Sequence, residues 1–294
     1  MEAVDRPLKA AYRACTRLTR REAKNFYYAF LTLSKRKRRA IYAVYAFCRE
    51  ADDIADNAGE IPEKRPALEK LRARLQQAAA GEPQCPADRA LADAIAQFTI
   101  EPANLAHVID GVEMDLTVSR YANFEQLSQY CRLVASAVGL AILPILARGR
   151  KDNAITQQDR DLATALGIGM QLANIVRDIA EDIARNRIYL PQEDLEQFGV
   201  SEQDLRKPKA SEALRALVAF ESARAREYLY EGEKLLTRLP RRSRGCPALL
   251  SAIYSRILDK IEDNNYDVLA SRTSLSACEK VRLMLRTWVK VLLR

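Results

Sequence analysis

The stretch MQLANIVRDIAED occupies Met170 to Asp182. Gln171, Asn174, Asp178 and Asp182 are spaced three, four and four residues apart. At about 100° per residue these steps keep all four within roughly 60° of one helix face. The remaining positions are apolar: Met170, Leu172, Ile175, Val176 and Ile179. The spacing therefore predicts a buried helix carrying one stripe of amides and carboxylates. An earlier stretch repeats the arrangement. In AVYAFCREADDIAD, Ala43 to Asp56, the residues Tyr45, Arg49, Asp52 and Asp56 again fall within roughly 60°, and Asp53 points about 100° away from Asp52.

Working outward, nearly the whole chain reads at helical period. Thr156 is placed to cap the helix that holds the second stripe, and Pro102 suits the first turn of another. Asn57–Gly59 and Gly81 read as helix stops. PRRSRGCP, residues 240–247, reads as a break between helices. Glycine (10) and proline (11) are scarce in 294 residues, which argues against an all-β chain. Hydrophobic residues make up 48%, enough for a sizeable core. No repeat, low-complexity segment or linker interrupts the pattern. One all-α domain spanning 1–294, with its core at about 20–290, is the expectation. The longest apolar run, Leu133–Ala147, contains Pro144 and falls short of the ~20 residues of a spanning helix, so it reads as a core helix.

Composition narrows the chemistry. His107 is the one histidine, which weighs against a multi-histidine metal site or a histidine-based triad. The six cysteines form no C-x-x-C and read as free thiols in a reducing compartment. No signal peptide is visible, and a cytoplasmic location, with peripheral contact at the inner membrane face, is expected. The net charge of +8 fits nucleic acid, an anionic membrane or anionic substrates alike. SKRKRR, Ser34–Arg39, lacks an accompanying nucleic-acid fold or aromatic platform, so it reads as a solvated or membrane-facing surface and no nucleic-acid partner is expected. TWVKVLLR at the end reads first as a core-docking helix and second as a membrane-resting one. GIG, Gly167–Gly169, lacks the third glycine and the βαβ setting of a dinucleotide fingerprint.

Two carboxylate stripes facing one another would set Asp52, Asp56, Asp178 and Asp182 around a cavity. Buried carboxylates need a positive partner. An all-oxygen donor set suits Mg²⁺, with Mn²⁺ as the substitute. Arg49, Arg177, Arg185 and Arg187 stand close in sequence. Arginine forks with carboxylates, phosphates and Mg²⁺ together suit a diphosphate substrate.

YAFCREADDIAD and QLANIVRDIAEDIARNRIYLP closely resemble the two signature regions of the squalene/phytoene synthase family. NFYYAF, YCRLVASAVG, YSRIL and YDVLASR resemble its flanking pieces. The resemblance implies an all-α isoprenoid-synthase helical bundle with a central cavity. It implies Mg²⁺-dependent head-to-head joining of two prenyl diphosphates into a cyclopropylcarbinyl diphosphate. It assigns the metal to Asp52, Asp56, Asp178 and Asp182, with Asp52 and Asp178 central to catalysis. It assigns the diphosphate and metal shell to Tyr45, Arg49, Gln171, Asn174, Arg177, Arg187 and Tyr189, and the C-terminal contacts to Tyr254 and Arg272. Tyr130 matches the tyrosine linked to proton removal as the cyclopropane closes. AKNF stands where many members have S-x-S-F, and the Asn25 amide can still donate to a phosphate. The form of the first signature is most similar to the bacterial hopanoid-pathway presqualene diphosphate synthases. Farnesyl diphosphate is then the expected substrate, with NADPH required for a further step to squalene. Geranylgeranyl diphosphate, as in phytoene synthases, is the neighbouring alternative. Other enzymes of the pathway are expected partners. A non-catalytic helical partner protein is the alternative of a different class, and retention of all four aspartates argues against it.

Overall fold

A computed structural model describes the backbone of residues 2–56, 61–150 and 154–293, and the side chains within these except at 2–5, 24, 25, 288 and 290–293. The expected stop at Asn57–Gly59 and the Asn25 amide lie outside the described residues. The elements are α1 (Glu2–Glu22), α2 (Lys24–Phe30), α3 (Lys35–Asp56), α4 (Ile61–Ala79), α5 (Pro86–Phe98), α6 (Pro102–Met114) and α7 (Phe124–Cys131). A π-helical turn, Arg132–Ser136, joins α7 to α8 (Ala137–Ala147). Then come α9 (Gln157–Ala184), α10 (Gln192–Gln197), α11 (Glu212–Glu233), α12 (Leu235–Arg238), α13 (Arg241–Asp263) and α14 (Ala277–Leu293). Among the described residues the only β pairing is one isolated bridge between Arg120 and Ile188. The fold is all-α, as expected.

α9 is the axis of the bundle. Thr156 and Asp159 close a reciprocal capping box at its start, which satisfies two backbone donors that the first turn leaves free. Its two glycines are packing devices. A Cβ at Gly169 would come within 2.7 Å of the Leu229 nitrogen on α11, and one at Gly167 within 2.6 Å of the Ser136 Cα. Gly232 of α11 approaches Leu166 of α9 in the same way. The GIG motif therefore serves close helix approach. α3 packs on α1, α5, α6 and α8. α8 touches both α3 and α9, and the central cavity lies between these helices.

The composite helix 124–147 is long and apolar enough to cross a membrane by length and composition, but half of its most apolar window is buried in the fold. Val134, Ala135, Val138, Ile142 and Leu146 of this helix line the cavity. Its apolar surface is thus divided between core and cavity, in line with a core helix.

Two boundaries differ from expectation. RRSRGCP is the first two turns of α13, not a break; the chain turns at Pro240, which precedes the helix. Pro247 inside it costs about 3 kcal/mol of helix propensity, yet Cys246, Pro247 and Leu250 are buried against the cavity, and that burial outweighs the local preference. The pattern ALLSAIYSRILDKIEDNNYDVLA, residues 248–270, reads as helix to its end, but α13 stops at Asp263, because Asn265 and Tyr266 take positive φ of 51° and 57°. The non-helical segment that follows is anchored by Asp267, which accepts from Arg215 Nη2 (2.9 Å) and the Ala210 nitrogen (3.2 Å). This turn carries Arg272 back to α9.

Candidate active site

The cavity is apolar over most of its wall and polar at one end. Phe26, Phe30, Val138, Leu143 and Leu166 represent the apolar part; Tyr45, Asp52, Gln171, Asn174 and Tyr254 supply the polar part. Its empty space, open mouth included, is about 1170 Å³. Asn174 donates to Gln171 Oε1 (3.3 Å) and to the Tyr254 oxygen. Burial pushes Tyr45 up to about 12, so it stays a neutral phenol at physiological pH.

Members of both stripes, Tyr45 and Asp52 of α3 and Gln171 and Asn174 of α9, line this cavity. Arg185, just past the end of α9, lies 3.8 Å from Asp56 at the end of α3. On α9, Arg177 binds both oxygens of Asp178, and Arg272 Nε donates to the same carboxylate at 2.9 Å. Burial pushes Asp178 up, but these guanidinium bonds outweigh it and hold the carboxyl below its usual range. Asp182, one turn on, is pushed up to about 7 by burial and by Asp178 beside it. On α3, Asp52 is likewise pushed up to about 7, by burial, Asp56 and Asp115. Its carboxyl is open to the cavity, although protein surrounds it on most sides.

Arg49 departs from the stripe it shares on the helix wheel. Its Nη2 pairs with Asp53 Oδ1 at 2.5 Å rather than with Asp52, although its charge still pulls the Asp52 carboxyl down against burial. Four methylene-type torsions let the guanidinium swing where the wheel cannot follow. Its Nε is buried with no hydrogen-bond partner, a donor whose bonding capacity is left unused.

A third acidic group completes the site. Asp115 caps the end of α6. It accepts from Tyr130 Oη at 2.9 Å and Tyr189 Oη at 2.8 Å. Burial pushes its carboxyl up, against the pull of Tyr189, Arg187 and Tyr130. The Tyr130 and Tyr189 rings stack at 5.2 Å, with Tyr121 against both at 5.5 and 5.8 Å. Burial and the Asp115 charge hold Tyr130 well above the ordinary phenol range. The Arg120–Ile188 bridge and the bond from the Gln192 nitrogen to the Tyr121 carbonyl (2.8 Å) pin the two loops that carry this cluster. Sequence reading missed Asp115 and Tyr121. One signal was present: a carboxylate at a helix C-terminus opposes the helix dipole.

That signal recurs. Asp56 ends α3, Asp115 caps α6 and Asp182 lies in the last turn of α9. Three negative helix ends bearing carboxylates are gathered in one region: the Asp56 and Asp115 charges push Asp52 up, Asp56 pushes Asp115 up, and Asp115 helps to push Asp182 up. Such a set favours a hard cation. Among the described residues no three carboxylate, thiol or imidazole groups converge enough to enclose an ion by themselves. The four-carboxylate arrangement read from the sequence is therefore no closed cage. Mg²⁺ suits an open one, since it takes one or two carboxylates and completes its shell from substrate phosphates and water.

Acidic helix ends and arginine forks over a long apolar cavity, in an all-α bundle, define an isoprenoid diphosphate synthase. The chain belongs to the squalene/phytoene synthase family, whose profile matches residues 19–279. It is 38% identical over 280 residues to a 15-cis-phytoene synthase from Synechococcus elongatus, covering 93% of this chain and 91% of that one. It is also 38% identical to phytoene synthase 2 from Solanum lycopersicum, over 93% of this chain and 88% of the relative. Among solved structures, a dehydrosqualene synthase superposes with a TM-score of 0.88 at 30% identity over 98% of both chains. A squalene synthase from Alicyclobacillus acidocaldarius superposes at 0.81 with 33% identity, over 88% of this chain and 95% of that one. The protein is a prenyltransferase of the type that condenses two prenyl diphosphates head to head.

Proposed function

We propose that the protein joins two farnesyl diphosphates into presqualene diphosphate. The observation that carries the chemistry is the meeting of three carboxylate-bearing helix C-termini with the Arg177–Asp178–Arg272 fork at the polar end of an apolar cavity. The C15 chain length is supported by the whole-length superposition on a dehydrosqualene synthase. Geranylgeranyl diphosphate is the second reading, favoured by the 38% identity to phytoene synthases.

Asp52, Asp56, Asp178 and Asp182 would hold Mg²⁺, which supplies charge neutralisation for the departing diphosphate. The free Arg49 Nε and the Arg177 and Arg272 guanidiniums offer donors to phosphate oxygens. Gln171, Asn174, Tyr45 and Tyr254 line the wall beneath, where neutral donors orient the ester oxygen. The apolar wall keeps water from the allylic cation, which would otherwise be quenched to an alcohol. Ring closure releases one proton. Tyr130 is neutral at physiological pH, so it relays: its oxygen takes the substrate proton as its own hydroxyl proton passes to Asp115. Asp115, with its carboxyl pushed up by burial, is suited to accept it.

Incubation of the purified protein with Mg²⁺ and farnesyl diphosphate, with and without NADPH, and separately with geranylgeranyl diphosphate, tests this reading. Extracted lipids are identified by mass. A C30 cyclopropyl diphosphate without NADPH is expected, and squalene with NADPH would add the reductive step. A C40 product alone moves the protein to the second reading. No condensation from either substrate overturns both.

A further inference from the structure

The last helix bears an apolar face that nothing in the described fold covers. α14 rests on α13 and α2, turning Leu283, Met284 and the buried Thr287 inward. Outward it presents Val281, Leu285 and Val289, which are 39%, 55% and 52% exposed. Steps of four advance about 40° around a helix, so these three form one stripe. Exposed Cys278 lies on the same stripe, and exposed Arg282 and Arg286 run along its border. On the other side the Lys280 ammonium stands 6.0 Å from the Tyr28 ring on α2. One turn beyond Tyr28 is Leu31, also exposed. Arg38 Nη1 approaches the Leu31 carbonyl at 3.5 Å, and exposed Lys35 opens the basic run. Single exposed leucines are ordinary. Three aligned apolar residues rimmed by cations are the pattern of a helix that lies in a membrane interface.

We propose that this face docks on an anionic lipid surface, with α14 parallel to the bilayer. Val281, Leu285, Val289 and Leu31 enter the acyl boundary, and Arg282, Arg286, Arg38 and Lys35 meet the headgroups. Charge complementarity selects this occupant: the chain carries +8, and basic residues beside an anionic leaflet each add to binding. A second copy fits less well, because a two-fold pairing along the stripe sets Arg282 and Arg286 against their own equivalents. Docking also has a consequence for the site. α2, the shelf on which α14 rests, supplies Phe26 and Phe30 to the cavity wall. If the proposed reaction holds, the apolar product leaves beside the bilayer.

The test uses the full chain and vesicles of phosphatidylcholine, either alone or with one quarter phosphatidylglycerol. Sedimentation with the anionic vesicles is expected, weakening in high salt. Arg282→Gln with Arg286→Gln should weaken it about fivefold per charge. The triple change Val281→Ser, Leu285→Ser, Val289→Ser should weaken it at least about tenfold. Turnover of detergent-dispersed substrate stays unchanged in both, which separates docking from catalysis. A polarity-sensitive dye on Cys278 of the otherwise unaltered chain should shift to the blue with anionic vesicles, and this readout needs no folding-sensitive variant. Absence of both sedimentation and blue shift overturns the proposal. So does binding to neutral vesicles that is equal and indifferent to the arginines. A vesicle-free dimer dissolved by the serine changes also overturns it, and makes a second copy the occupant.

Discussion

The α3 and α9 walls look alike in sequence and differ in the fold. Each carries two aspartates four apart. On α9 the first of them, Asp178, is clamped by Arg177 and Arg272 and held below its usual pKa. On α3 the corresponding Asp52 has no such clamp, because Arg49 has turned to Asp53. Asp52 and Asp182 are left with carboxyls near 7. One wall thus holds its first carboxylate charged with one arginine of its own and one from beyond α13, and the other leaves its first carboxyl for an incoming cation. Equal spacing fixes which residues share a face; the partner brought from elsewhere in the chain decides their charge.

The largest effects should come from breaking either wall. Asp52→Asn and Asp178→Asn should each lower turnover about 10²–10³-fold, with circular dichroism unchanged. A small loss at Asp52 alone would mean that the unclamped wall binds no cation. Next, Tyr130→Phe removes the relay to Asp115 and should cost about 10²-fold. Asp115→Asn should act to a similar degree, read by the same product assay.

Protonation sharpens the comparison further. Asp52 and Asp182 titrate near 7 in the fold, above the ordinary 3.8. Between those values the folded chain holds protons that the unfolded chain has released. Their contribution to stability is complete below the unfolded value and is lost as pH rises through 7. Solvent in the cavity screens part of it. The melting temperature of the metal-free protein should therefore fall by a few degrees from pH 6 to pH 8. Mg²⁺ should restore it most at pH 8, where it no longer competes with protons. Equal Mg²⁺ stabilisation at both pH values would contradict this. The smallest effect belongs to Asp53→Asn. It releases Arg49 from a half-exposed ion pair, worth about 1 kcal/mol or less. Turnover should change only a few-fold; a loss equal to that of Asp52→Asn would erase the distinction between the faces.

The helix wheel put Tyr45 and Asp52 on one face of α3 and Gln171 and Asn174 on one face of α9, and these four meet in the cavity because rigid backbone periodicity sets where a Cβ points. It failed for Arg49, whose long side chain chose another partner. Asp115 was illegible for a different reason. It sits past the end of α6, and its meaning comes from Tyr130 and Tyr189, which are 15 and 74 residues away. Arg272 reaches Asp178 through the non-helical segment after Asp263, set by positive φ at Asn265 and Tyr266, which no periodicity marks. RRSRGCP carries breaker residues, and only their burial against the cavity shows why a helix survives there. The roles proposed for Tyr130 and Tyr254 come from the family resemblance, since no local pattern marks either residue.

The central claim is that both walls serve one cation–diphosphate site. Manganese titration followed by electron paramagnetic resonance, with inorganic diphosphate present, tests it most directly. Mn²⁺ should bind far more tightly with diphosphate than without it, and Asp52→Asn and Asp178→Asn should each abolish that gain. Diphosphate-dependent binding that survives both substitutions would contradict it.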